Sequence, residues 1–393
     1  MGYLSCYLYR YCFEISPLLS NIVLDYPVVS LRTNPIGRND ASIYSNNQQL
    51  ATSNSYYAFL QEETMDKKQL YNFISQHTSQ CKILVIGDVM LDKYYYGEVT
   101  RISPEAPVPI THVLTETETL GGAANVAHNL ALLGCETSIA GCIGNDFHGR
   151  SLLEKLKTRH IDARGLMITD RPTTTKLRII GGHQQMMRLD FEESAPITGK
   201  DAKQLLNYVS QKLEEGLDCV ILSDYGKGIC TEEICQEIIA SCHSYHIPVI
   251  VDPKGTHWMK YKEADYITPN LKEINEVLTE PIGNENEAVE KAAYEVMEKF
   301  HLQNIMVTRS EAGLSLISHK DKVHIPTKAQ EVFDVSGAGD TVIAVFALGI
   351  SGGIAPRDSA YLANLAASVV VAKLGTYAVS QKELLAAFQK ENG

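Results

Sequence analysis

The chain has 393 residues, 45% of them hydrophobic and 21% charged, and a formal net charge of -12. That is the composition of an ordinary globular protein with room for one large domain or two smaller ones. The acidic balance gives no general attraction to nucleic acid or to an anionic membrane, so neither is expected as a partner. Nine cysteines are scattered without CxxC spacing, and Cys230, Cys235 and Cys242 have no zinc-ligand pattern around them. Reduced thiols in a cytoplasmic protein are expected rather than a disulfide framework. No apolar run approaches the ~20 residues that span a bilayer. Arg10, Glu14 and Asp25 interrupt the apolar patches at the start, which argues against a signal peptide.

Residues 1–64 are rich in Tyr, Ser and Asn and show no sustained period of 3.6 or 2. They read either as a poorly ordered extension or as sequence upstream of a true start at Met65, the second being favoured because the folded pattern of 65–393 is complete without them. DKKQLYNFISQH then reads as a short amphipathic helix leading into the buried strand KILVIGD. GGAANVAHNLALLG is a Gly-opened helix and TSIAGCIG a strand. Helix DAKQLLNYVSQKLEEG, strand DCVILSD, Thr-capped helix TEEICQEIIASCHSYH, strands PVIVDP and ADYITP, helix NLKEINEVL and strand NIMVTRS follow. Two helices, GAGDTVIAVFALGI and PRDSAYLANLAASVVVAKLG, close the pattern. Alternating apolar strands and helices predict an α/β fold, a mostly parallel sheet covered on both faces. Residues 94–115 and 172–192 are polar, β-rich and without helical period, and predict a small β-lid over a cleft.

The segment DVSGAGDT, residues 334–341, carries the strongest chemical signal. Small residues before an apolar helix let the N–H groups of Gly337, Ala338 and Gly339 face an anion at the helix N-terminus. Asp340 then sits in the first turn, where a carboxylate can accept a hydroxyl proton beside those donors. Phosphoryl transfer needs that combination of positioning and electrostatics. The bland alternative is a Gly-rich helix opening with Asp as a stabilising first-turn charge. In GGAANVAHNLALLG, Gly121 and Gly122 permit close backbone approach, and Asn125 offers an amide to sugar hydroxyls. A plain glycine turn before a core helix would look the same.

Together these two segments resemble the signatures of the ribokinase-like (pfkB-type) carbohydrate kinases, and the likeness covers residues from about 82 to 385. GDVMLD, SDYGKG, VDPKG, TPNLKE and TRSEAG fit as intermediate landmarks. The stretch GDVMLDKYYYGEVTRISPEAPVPI, with MMRLDFE, narrows the resemblance to the D-glycero-β-D-manno-heptose-7-phosphate kinases. That branch phosphorylates the anomeric hydroxyl on the route to ADP-heptose for lipopolysaccharide, often fused to a C-terminal adenylyltransferase. No HxGH-type segment precedes Gly393, so a kinase-only chain is expected.

The resemblance implies ATP and Mg²⁺ as cofactors and the ribokinase-like fold with its lid. It makes Asp340 the base and Gly337, Ala338 and Gly339 the anion hole. In NLKE (Asn270, Leu271, Lys272, Glu273), Asn270 and Glu273 would meet the nucleotide phosphates and order Mg²⁺ waters. Thr308, Arg309 and Gly313 would lie along the nucleotide. Asp88 and Asp92, at the end of the first strand, would meet sugar hydroxyls. A sugar phosphate also demands cations, and Lys176, Arg178, Arg188 and Lys227 are the candidates. Lids of this type often pair across a two-fold axis, so a homodimer through the aromatic strands of 94–115 is expected. One departure is Val335, where the family most often has Thr; a backbone role there tolerates the change.

Rival readings fail on spacing. GDVMLD after the first strand is not GxGxxG, and neither GxxxxGK[ST] nor HExxH occurs. Within the fold, a kinase of fructose 6-phosphate, ribose or a nucleoside remains the alternative. A non-catalytic sugar-binding regulator is the alternative of another class, and the intact Asp340, Asn270 and Glu273 argue against it.

Overall fold

A computed structural model describes residues 66–392 except 183, 330 and 374. The expectations for 1–64 therefore lie outside the described residues. Asp66 caps helix Lys67–Asn72, its Oδ1 accepting from the amides of Lys68 and Gln69 at 3.0 Å.

Thirteen strands follow, and they form two sheets. They are β1 (Lys82–Gly87), β2 (Val89–Ile102), β3 (Pro109–Gly122), β4 (Glu136–Gly144), β5 (Asp162–Thr169), β6 (Thr175–Gly181) and β7 (Gln184–Phe191). Then come β8 (Cys219–Ser223), β9 (Val249–Asp252), β10 (Tyr266–Ile267), β11 (Asn304–Thr308), β12 (Leu314–Ser318) and β13 (Lys322–Ile325). The main sheet has the order β13-β12-β11-β10-β9-β8-β1-β4-β5. It is parallel from β5 to β11 and ends in two antiparallel strands.

The apolar runs explain the layering. In β1, Ile83 and Val85 face one core cluster while Leu84 and Ile86 face the other, as the period of two requires. Helices Ala123–Leu132, Ala338–Ser351 and Pro356–Val370 cover the first face, and Gly199–Glu215, Glu232–Ser244 and Asn286–Phe300 the second. Both faces are thus buried, the condition under which parallel strands read as continuous apolar runs. Beyond the elements expected from the sequence, the fold has β5, the antiparallel pair β12–β13 and the helices Phe147–Thr158, Asn286–Phe300 and Gln381–Asn392.

The second sheet, in the order β3-β2-β6-β7, collects the stretches that lack helical period. It leaves the main sheet directly after β1 and returns at Gly122, which pairs with Val89. One of its edges is open to solvent, since every residue of β7 is exposed. All seven described cysteines are free and buried. No helix of the described residues is long and apolar enough to cross a membrane.

Candidate active site

The register of the parallel strands aligns three carboxylates on one edge of the main sheet. Gly87 of β1 is opposite Ser223 of β8, which is opposite Asp252 of β9. Asp252 and, one residue beyond their strands, Asp88 and Asp224 therefore gather at the C-terminal ends of the strands, where open α/β sheets bind ligands.

Helix Ala338–Ser351 brings Asp340 to this edge. Gly337 caps it at φ 80°, a left-handed conformation suited to glycine, and a Cβ there would lie 2.9 Å from the Asn125 amide nitrogen. Asp340 is only 4% exposed. Its Oδ2 accepts from Asn125 Nδ2 at 2.7 Å and its Oδ1 from the Tyr225 hydroxyl. Burial pushes its carboxyl up to about 6, an effect that the two hydrogen bonds oppose and the charge of Asp92 reinforces. A carboxylate poised near neutrality, oriented by two donors, is suited to take a proton.

Asn129 fixes the two helices that carry this pair. Its Nδ2 donates to Asn125 O at 2.9 Å, and its Oδ1 accepts from Thr341 Oγ1 and from Val379 N, both at 3.1 Å. The Asn125 amide thus gives one of its donors to the carboxylate, which narrows the sequence expectation of a wholly free amide.

Asp88 is a correction. Its carboxylate accepts the amides of Tyr225 at 2.8 Å, Lys227 at 2.9 Å and Ile229 at 3.2 Å. It is spent holding the loop that carries Tyr225 and is not open to sugar hydroxyls. Asp92 sits between Arg178, whose Nη1 donates to Oδ1 at 2.6 Å, and Thr376, whose hydroxyl is 3.4 Å from Oδ2. The two glycines are needed by these neighbours. A Cβ on Gly121 would stand 2.4 Å from Asp92 Oδ2, and one on Gly122 would stand 2.6 Å from Asp88 O. Gly122 also has φ 55° and ψ -137°, a region closed to other residues. Gly122→Ala should therefore destabilise the fold by roughly 2 kcal/mol or more, read as a lowered midpoint of denaturant unfolding.

None of the four predicted phosphate-binding cations stands free. Arg178 pairs with Asp92, Arg188 with Asp190, and Lys227 with Glu192 at 2.7 Å. Lys176 lies 3.6 Å from Glu192 and 3.8 Å from Asp190. A substrate phosphate would have to share or displace these carboxylates.

Asn270 and Glu273 form a reciprocal capping box on helix Leu271–Val277, with N–H to oxygen distances of 2.9 and 3.0 Å. The other Glu273 oxygen takes Lys254 Nζ at 3.0 Å. Leu271 is half-buried, and the Lys272 side chain is 86% exposed with only Glu276 beside it, at 3.9 Å. Thr308 N donates to Pro269 O at 2.9 Å, which sets the 308–313 turn against NLKE. Gly313, at φ 82°, closes that turn.

Arg309 is another correction. It is 3% exposed, and its guanidinium donates to Asn284 Oδ1 and O, Asn286 Oδ1 and Ser315 Oγ. It braces its own turn from behind and cannot reach a nucleotide through its side chain. At the anion turn the Ala338 amide is directed back to Val335 O at 3.2 Å, so it is only partly available.

Sequence reasoning missed Tyr225, Asn129, Asp252 and Lys254. SDYGKG and VDPKG held a signal, because each puts a polar group just past a buried strand. Burial, with Glu273 and Asp340 nearby, raises the Asp252 carboxyl well above its usual range, and Lys254 opposes the effect. Among the described residues no three His, Cys, Asp or Glu side chains could hold a metal ion directly. Hard oxygen donors with excess negative charge nonetheless suit Mg²⁺ bound through its own waters.

The arrangement defines an α/β kinase in which a buried carboxylate stands at a glycine-opened helix N-terminus. Residues 80–383 match the pfkB family carbohydrate kinases, and the chain belongs to that family. It is similar to the bifunctional protein HldE of Trichlorobacter lovleyi, 43% identical over 330 residues, covering 84% of this chain and 67% of that protein. The bifunctional protein HldE of Haemophilus influenzae (strain PittEE) is 44% identical over 314 residues, covering 79% of this chain and 64% of that one. The chain thus spans about two thirds of the length of the curated relatives it matches. Its fold is that of Arabidopsis thaliana ribokinase complexed with ribose and ATP, with TM-score 0.63, 20% identity, and coverage of 79% of this chain and 99% of that one. Phosphofructokinase-2 from Escherichia coli, in complex with substrates and products, gives TM-score 0.67 at 18% identity over 80% of this chain and 100% of that one.

Proposed function

We propose that the chain transfers the γ-phosphoryl group of ATP to the anomeric hydroxyl of D-glycero-β-D-manno-heptose 7-phosphate, a step toward ADP-heptose. The observation that carries the kinase reading is Asp340, buried, raised to about 6 and oriented by two donors beside a glycine turn. The heptose acceptor is supported by the likeness to the HldE proteins and by Lys176 and Arg178 on β6 with Lys227 nearby at Glu192.

In this reading Asp340 takes the proton of the C1 hydroxyl as its oxygen attacks the γ-phosphorus. The amides of Gly337 and Gly339, with a share from Ala338, receive the charge of the transferring group. The 308–313 turn, with Thr308 and Gly313, and the NLKE segment line the nucleotide. Asn270 and Glu273 would hold Mg²⁺ through its waters, and the ion would supply positive charge to the nucleotide phosphates. Asp92 and Arg178 meet sugar hydroxyls or the substrate phosphate, and Lys176, Arg188 and Lys227 contribute positive charge once their carboxylate partners are shared. The product separates this reading from other acceptors: ³¹P NMR should show a bisphosphate whose new phosphorus couples to the anomeric proton. A new phosphate at any other carbon would overturn it.

Gly339 provides a second check. A Cβ there would meet nothing within 4 Å, and its φ is not positive. Neither packing nor backbone requires glycine, so the space is explained by the transferred phosphate. Gly339→Ala is expected to keep the melting temperature and lose turnover by at least about tenfold, as for a partly blocked oxyanion site.

The homodimer belongs to the same proposal. Ile102, Val108, Val113 and Leu114, with Met187, Leu189 and Phe191, leave much apolar surface exposed on one sheet. Light scattering at micromolar concentration should give twice the chain mass, and a monomer would remove this part.

A further inference from the structure

Asp340 has two donors, but they are not equivalent. Asn125 belongs to helix Ala123–Leu132 and is held by the Asn129 clamp. Tyr225 comes from the loop after β8, and its hydroxyl donates to Asp340 Oδ1. An O–H group donating to the base is what an acceptor hydroxyl must also do at the moment of transfer. We propose that the Tyr225 hydroxyl is a stand-in for the acceptor: in the sugar-free enzyme it occupies the base and keeps water from it, and it turns away as the sugar arrives. This rests on the reading of Asp340 as the base.

The loop is built for a side-chain movement over a fixed backbone. Asp88 holds the amides of residues 225, 227 and 229, and Asp224 Oδ1 holds that of Gly226 at 2.7 Å. Asp224 is in turn fixed by Tyr261 at 2.6 Å and by Lys260. Among the described residues, the hydrogen bond of the tyrosine hydroxyl is the one to the Asp340 carboxylate. Burial and the surrounding carboxylates of Asp340, Asp252 and Asp92 push its hydroxyl well above its usual range, so it remains a donor.

The need for such a stand-in follows from the chemistry. A buried carboxylate raised toward neutrality, next to a bound triphosphate, would deprotonate water as readily as a sugar hydroxyl. Water oxygen would bond to the γ-phosphorus, the bond to ADP would break, and the proton would pass to Asp340. The net result is wasteful ATP hydrolysis to ADP and phosphate.

The test is ADP release from Mg·ATP without any sugar, measured on the full chain. Tyr225→Phe, which removes one oxygen and keeps the ring, should raise this release at least tenfold relative to the same variant's rate of sugar phosphorylation. Tyr225→Leu should show the same rise. The acid limb of kcat/KM should also move to higher pH, because a hydrogen bond that favours the ionised form is lost; the other groups facing Asp340 are Asn125, Asp92 with its partner Arg178, and Asp252. Adding Asp340→Asn to Tyr225→Phe should abolish the extra hydrolysis. Unchanged sugar-free hydrolysis in both Tyr225 variants, with Asp340→Asn inactive, would overturn the stand-in and leave the base intact. Hydrolysis that rises and survives Asp340→Asn would overturn the stand-in through failure of the base itself.

Discussion

Asp340→Asn is expected to lose at least ~10²-fold in kcat while retaining ATP binding, the usual scale for a positioned acid–base group. The same substitution should make the protein more stable at pH 8. In the wild type the folded-state value, about 6, lies above the ordinary 3.8, so the native state binds the proton more tightly than the unfolded chain. Stability linked to this group is complete below pH 3.8 and is lost as pH rises through 6. The displacement corresponds to about 3 kcal/mol, from which weaker hydrogen bonds to a neutral amide subtract. The advantage of the Asn variant should therefore be near zero at pH 4 and grow to its full size by pH 7, read from urea midpoints across the range. Wild-type turnover should fall on the acid side of pH 6, as the base becomes protonated. A base located elsewhere would leave the Asn variant active.

Asp88→Ala should have the opposite character, losing stability first. It strands three amide donors on a half-buried loop, and a donor left unpaired away from water costs about 1–3 kcal/mol. A loss of at least about 3 kcal/mol is expected. It should be accompanied by fast hydrogen exchange at residues 225, 227 and 229 and by reduced turnover, because the loop carrying Tyr225 loosens. A variant with native exchange at these amides would show that Asp88 is free for another role.

The two predictions mark what the sequence could and could not convey. Asp340 and its glycine turn were legible because both requirements, small residues and a first-turn acid, are local. The strand–helix alternation was legible because strands buried on both faces read as apolar runs. Polar partnerships between distant segments were not. Nothing near Asn125 shows that Asp340, which lies far along the chain, will take its amide, and nothing near Asp88 shows the three amides of another loop. Arg309 shows the same limit. Its position in TRSEAG placed it along the nucleotide, whereas Asn284, Asn286 and Ser315 enclose it from segments on either side. Three strands of the main sheet, β5, β12 and β13, were not legible; β12 and β13 are short and antiparallel, without the helix between strands that marks their predecessors.

The most direct test of the central claim is ADP release with Mg·ATP and a small acceptor panel. It would hold D-glycero-D-manno-heptose 7-phosphate, sedoheptulose 7-phosphate, fructose 6-phosphate, ribose and adenosine. Turnover with the manno-heptose phosphate, far above the other four, is the predicted result. Preference for another sugar would contradict the proposed acceptor, and silence on all five would contradict the proposal that this chain is an active sugar kinase.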